Sequence, residues 1–171
     1  MNDTVNSENI TSKEHRLEGG KYLTFFLGKE EYAIEILKVQ EIIGLMAITP
    51  VPSMPDYIRG VLNLRGKIIP VMDLRSRFGF SAIDDTEETC IIVVQEAQFR
   101  MGIIVDKVSE VSDIASEQLE EVPSFGSSMT DEYLAGIGKL GDSVKLILDV
   151  SKVLFEFREE VMDSQVDAAG E

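Results

Sequence analysis

The 171-residue chain has no tryptophan, one cysteine and one histidine. A lone thiol, Cys90, can form no internal disulfide, and one thiol is no metal site. The single histidine, His15, lies in a polar N-terminal stretch. A Ser-His-Asp or Cys-His arrangement needs a rigidly placed imidazole, so that chemistry is excluded. There is no HExxH, no CxxC and no phosphate-binding glycine loop. No apolar run reaches the roughly 18 residues that span a bilayer. The first twenty residues lack the apolar segment of a secretory signal, which points to the cytoplasm. Positive charge is also scarce: 16 Lys and Arg stand against 31 Asp and Glu, for a net charge of −15. Nucleic acid and anionic membrane surfaces both call for a basic face, so neither is expected as a partner.

What is present is an ordinary globular balance, 44% hydrophobic and 27% charged. The charge is uneven: −2 over residues 1–20, −8 over 21–155 and −5 over 156–171. Residues 1–20 read as a disordered tail and 163–171 as an acidic disordered tail. Between them, short β-branched and aromatic runs alternate with turn residues. Tyr22–Leu27 and Glu31–Ile36 flank Gly28-Lys29-Glu30 as a hairpin. Residues 37–45 read as either a helical turn or a strand. Pro50, Pro52 and Pro55 mark a loop. Strands flank Arg65-Gly66-Lys67, and a short helical stretch ends at Gly79. Residues 81–88 read as a linker. A second hairpin surrounds Glu96-Ala97-Gln98, an extended segment leads to the Pro123–Ser128 loop, and a last strand pair follows. Ser151 is the expected cap of a C-terminal helix over 151–162. No helical pattern is long enough for a βαβ crossover, so the class is mainly β, built of small barrels.

The chain repeats itself. A shift of 76 places Tyr57 on Tyr133, Gly60 on Gly136, Leu64 on Leu140, Val71 on Ile147 and Asp73 on Asp149. A shift of 69 places 38–42 (KVQEI) on 107–111 (KVSEV). The seven-residue difference places an insertion near the Pro123–Ser128 loop. The division expected from this is 21–83 and 84–150. Val61, Leu64, Ile68, Val71 and Met72 are expected core, and Cys90 a small buried hydrophobe. The repeat does not keep its charges. Arg59, Arg65, Lys67, Arg75 and Arg77 cluster in the first half, whereas Arg65-Gly66-Lys67 becomes Gly141-Asp142-Ser143 in the second. That basic segment is either ordinary salt bridging or a docking patch in which arginine binds carboxylates bidentately.

The run IRGVLNLRGKIIPVMDLRSRFG, residues 58–79, resembles the CheW family of bacterial chemotaxis coupling proteins. Residues 25–42, 102–111 and 132–150 agree in order, so the resemblance covers about 20–155. It implies two SH3-like, five-stranded β-barrels side by side, with short helices and a C-terminal helix. It implies an adaptor with no enzymatic activity, no cofactor and no small-molecule substrate. Such a protein bridges the regulatory domain of the histidine kinase CheA and the cytoplasmic tips of methyl-accepting chemoreceptors, and meets the membrane only through receptors. Carried over by motif, Arg65 is the signalling arginine and Glu41 its salt-bridge partner. Gly60, Asn63, Leu64 and Gly66 frame the motif. Val39 and Ile42 belong either to a receptor-helix groove or to the barrel core. The alternatives are a coupling module of another chemosensory pathway, such as surface motility or biofilm formation, and a small β-barrel ligand binder.

Overall fold

The hydrophobic runs become strands because β-branched residues fit a pleated surface and the intervening Gly, Asn and Asp residues favour turns. The structure, a computed structural model, describes residues 17–122, 131–155 and 157. Within them the strands are β1 (Gly20–Leu27), β2 (Glu30–Glu35), β3 (Val39–Gly44), β4 (Ile58–Leu64), β5 (Lys67–Asp73) and β6 (Cys90–Glu96). They continue with β7 (Phe99–Val105), β8 (Lys107–Ile114), β9 (Leu119–Glu120), β10 (Leu134–Leu140) and β11 (Ser143–Leu148). A 3₁₀ turn at Ile36–Lys38 precedes β3, so the ambiguous 37–45 segment is part turn and part strand. Helix α1 is Leu74–Arg77, and residues 150–155 and 157 form helix α2.

The strands make two sheets of order β3-β6-β7-β5-β4 and β8-β1-β2-β11-β10-β9. We call the first lobe 1 and the second lobe 2. This corrects the expected division at 83/84, because the sheets interleave the two halves. The β1–β2 hairpin of the first half pairs with β8 and β11 of the second. The β6–β7 hairpin of the second half pairs with β3 and β5 of the first. The exchange is reciprocal and keeps register. Val71 lies opposite Gly102 and Ile147 opposite Ala33, two pairs related by the shifts of 76 and 69 found in the sequence. The β4–β5 and β10–β11 pairs also slip at matching places, between Ile58 and Gly60 and between Leu134 and Gly136.

The exchange explains why β1, β6 and β7 read as nearly continuous apolar runs: both faces are covered. On one face, Leu62, Ile69, Val71, Ile91, Val93 and Ile104 fill lobe 1, and Tyr22, Ala33, Ile114 and Ile147 fill lobe 2. On the other face, Leu23, Phe25, Tyr32, Met72, Ile92, Val94 and Met101 join Val153, Leu154 and Phe157 of α2 in the largest core, between the lobes. Each such side chain contributes about 1.5–3 kcal/mol over exposure. Rings of Phe25, Tyr32, Phe78 and Tyr133 follow one another through this core at 5.6–5.9 Å between centroids.

Smaller expectations are also corrected. Ile68 is not core but 63% exposed, because β5 begins beyond the end of the lobe 1 core. Helix α2 begins at 150 and is capped by Asp149, not Ser151: Asp149 Oδ1 accepts from the Lys152 N–H at 3.2 Å. Asp73, its repeat equivalent, caps α1 in the same way. The expected tail over 1–20 ends sooner. Leu17 packs against the lobe 2 core, and Gly20 pairs with Ile114. Cys90 is half-buried, and burial raises its thiol pKa. Residues 1–16, the Pro123–Ser128 loop and residues 158–171 lie outside the described residues, and with them most of both expected tails and the end of the expected helix. Among the described residues no helix is long and apolar enough to cross a membrane.

Candidate functional site

Strands β3 and β4 are the terminal strands of the lobe 1 sheet, so the turn after β4 comes round to face β3. In that turn Arg65 has φ +53 and Gly66 φ +85. Two successive positive values are the pattern of a type I′ hairpin turn, which matches the right-handed strand twist. Asn63 Oδ1 accepts from the Gly66 N–H at 2.8 Å and braces the turn. Leu64 half-buries its side chain against the lobe 1 core. Gly60 is needed for a close approach: it has φ +147, and a Cβ there would stand 2.2 Å from the Thr49 carbonyl oxygen. Thr49 and Val61 exchange backbone hydrogen bonds at 2.8 and 2.9 Å, which lays the chain after β3 along the outer edge of β4.

On the facing strand, the register slips between Val39, opposite Val94, and Glu41, opposite Val93. Gln40 is the extra residue of this bulge, and its Nε2 donates to Gln95 Oε1. Bulges re-aim side chains. Here Glu41 is turned toward Arg65. Arg65 Nη1 donates to Glu41 Oε1 at 2.8 Å and Nη2 to Oε2 at 2.9 Å. The contact is a planar, bidentate pair across the seam of the barrel. The Glu41 side chain is 23% exposed and that of Arg65 76%. An exposed pair of this kind is worth roughly 0–1 kcal/mol to stability. The pair presents a fixed guanidinium to solvent more than it holds the fold.

The structure brings Glu41, Asn63, Leu64, Arg65 and Gly66 together, with Gly60 behind them. Val39 and Ile42 stand apart from the pair. They lie opposite Val94 and Ile92, which face the inter-lobe core, whereas Glu41 and Ile43 lie opposite Val93 and Ile91, which face the barrel interior. Val39 packs at the margin of the inter-lobe core, and Ile42 is 44% exposed on the edge strand.

The basic segment divides in two. Arg59 Nη2 donates to Asp73 Oδ2 at 2.8 Å. Arg75 binds Asp106. Arg77 is buried with its guanidinium 4.3 Å from the Tyr57 ring centroid and 4.9 Å from that of Tyr133. These three arginines belong to the architecture. Arg65 and Lys67 remain at the turn, and Arg100 of β7 joins Gln40, Glu41 and Arg65 around an open polar hollow. Arg100 was not anticipated. It comes from a distant hairpin, and the shift of 69 sets it on Glu31, so the repeat gave no signal for it.

Comparison with known proteins agrees with this geometry. A family model described as "CheW-like domain" matches residues 21–157. The chain is 43% identical over 136 residues to a chemotaxis protein CheW of Klebsiella aerogenes, covering 80% of this chain and 82% of that one. It is 34% identical over 136 residues to the CheW of Bacillus subtilis, covering 80% and 87%. Among solved structures, the scaffolding protein TtCheW of Thermoanaerobacter tengcongensis superposes with a TM-score of 0.72 at 36% identity, over 77% of this chain and 89% of that one.

Proposed function

The chain belongs to the CheW-like family, and on that premise we propose that it is a chemotaxis coupling protein of the cytoplasm. It joins the tips of chemoreceptors to the regulatory domain of the histidine kinase CheA and catalyses no reaction itself. Both lobes fill their interiors with their own side chains, which leaves the surface as the working part. The observation that carries the reading is the Arg65–Glu41 pair, bidentate and solvent-facing on a turn braced by Asn63. A guanidinium already held flat loses little conformational freedom when a partner carboxylate or carbonyl docks beside it. Glu41, Arg65, Asn63, Leu64, Gly60 and Gly66 form the signalling motif, and Val39 and Ile42 adjoin it on the inter-lobe side of β3.

The test is co-sedimentation of the full chain with receptor-tip helices and kinase, read by kinase activity. Arg65→Glu and Glu41→Lys are each expected to lower stimulation by about tenfold, equivalent to about 1.4 kcal/mol of coupling. The double exchange restores the attraction and is expected to recover part of it. Unchanged binding and stimulation in both single variants would overturn the site assignment.

A further inference from the structure

The chain crosses between the two sheets at equivalent places in each repeat, and the crossings are held differently. The first, Ile36–Lys38 between β2 and β3, leaves Leu37 91% exposed. The shift of 69 sets Leu37 on Asp106, which makes the second crossing, between β7 and β8. Asp106 is gripped from both lobes. Arg75 of α1, in lobe 1, donates from Nε to Oδ1 at 2.8 Å and from Nη2 to Oδ2 at 2.6 Å. The N–H of Gly28, in the β1–β2 turn of lobe 2, donates to Oδ2 at 2.6 Å. The Asp106 N–H donates to the Phe26 carbonyl at 3.1 Å, and Arg75 Nη1 to that of Ser81 at 3.2 Å. The Arg75 and Asp106 side chains are only 15% and 20% exposed. Burial pushes the Asp106 carboxyl pKa up, but the hydrogen bonds from Arg75 and Gly28 and the Arg75 charge outweigh it and hold it below its ordinary value.

The apolar core between the lobes is strong but non-directional. A bidentate ion pair and a backbone hydrogen bond converging on one carboxylate fix distance and angle together. We propose that Arg75 and Asp106 are positioning residues that set the angle between the lobes, and that coupling of one partner to the other depends on that angle. The second half of this statement rests on the adaptor reading above; the first does not.

The experiment uses the full chain on a Cys90→Ser background, with spin labels at Gln98→Cys in the lobe 1 β6–β7 turn and Asp142→Cys in the lobe 2 β10–β11 turn, both exposed. Arg75→Met and Asp106→Asn are expected to shift or broaden the inter-lobe distance distribution. Arg75→Lys keeps the charge but not the fork, and is expected to fall between them and the unaltered protein. Lys38→Met breaks the 2.6 Å Lys38–Glu96 pair at the first crossing and is expected to leave the distribution unchanged. With partners added, Arg75→Met and Asp106→Asn are expected to bind each partner separately but to lose about tenfold in kinase stimulation. If they lower the thermal midpoint and leave the distance distribution intact, the pair is structural only and the proposal is overturned. If the distance moves and stimulation does not, the coupling half is overturned. If the unaltered protein stimulates no kinase, the adaptor reading fails, and the distance result still decides the positioning role.

Discussion

The turn after β4 and the turn after β10 stand at the same place in two copies of one fold. Leu64 pairs with Lys67 across the first and Leu140 with Ser143 across the second. The residue after each leucine is left-handed, φ +53 at Arg65 and φ +63 at Gly141. Glycine adopts that conformation freely, whereas a residue with a Cβ is strained there by about 1 kcal/mol or more. Lobe 2 resolves the geometry with glycine. Lobe 1 keeps an arginine and aims it at Glu41, whereas the lobe 2 turn, Gly141-Asp142-Ser143, carries no guanidinium, and the carboxylate of Glu110, the repeat equivalent of Glu41, accepts from Ser112 Oγ at 3.2 Å. An exposed ion pair does not clearly offset the strain. Strain held at a site with a small stabilising return points to use of the side chain by something other than the fold.

Three tests break or sharpen this comparison, ordered by the largest loss of stability expected in each. Gly60→Ala and Gly136→Ala test how alike the lobes are beneath the turns. A Cβ at Gly60 would stand 2.2 Å from Thr49 backbone oxygen at a φ of +147, and neither can yield cheaply. A Cβ at Gly136 would meet first the Leu17 Cδ1 at 2.0 Å, a side-chain end that can move, and then the Glu120 carbonyl oxygen at 2.7 Å. Chemical denaturation should show a loss of about 3 kcal/mol or more for Gly60→Ala and roughly half that for Gly136→Ala. Equal losses would mean that the β4 edge is no more tightly built than the β10 edge.

Asp106→Asn comes next, at a loss of about 2 kcal/mol at pH 7, below the range for a fully buried pair because some solvent reaches it. Its pH dependence has a definite sign. The folded-state pKa of Asp106 is depressed, so its stabilisation is present above the ordinary value of 3.8 and is lost as pH falls through the lower folded value. The gap between the unaltered protein and Asp106→Asn should therefore hold from pH 7 to about 5 and narrow below about 4. A gap that persists undiminished at pH 3 would show that packing, not charge, holds that crossing. The smallest effect on stability is expected from Arg65→Gly, which gives lobe 1 the lobe 2 residue. Relief of strain and loss of an exposed pair nearly cancel, leaving stability within about 1 kcal/mol.

Much of this was legible in the sequence. The shifts of 76 and 69 located the equivalent strands, the matching glycines at 60 and 136, and the matching aspartates at 73 and 149 that cap the two helices. The Arg65–Glu41 contact was anticipated from the family motif. The hairpin exchange was not legible. Strands such as CIIVV and MGIIV are apolar on both faces, and an apolar face does not say which strand it pairs with or which sheet it joins. The shifts are the same whether each hairpin stays with its own half or trades places, so a contiguous boundary at 83/84 followed naturally. Nor could the sequence sort the arginines. Asp85 and Asp106, which receive Arg59 and Arg75, lie 26 and 31 residues away along the chain. Tyr133, against which Arg77 packs, lies in the other repeat. Ile68 misled because alternation locates a strand but not where the core beneath it ends.

The most direct measurement is kinase stimulation by Arg65→Gly in the presence of receptor-tip helices, taken together with its unfolding free energy. The two-turn comparison predicts that stimulation falls by about tenfold while stability stays within about 1 kcal/mol of the unaltered protein or rises. Full stimulation by a protein whose two turns both carry glycine would contradict the account, because nothing would then distinguish the lobe that holds the arginine from the lobe that does without it.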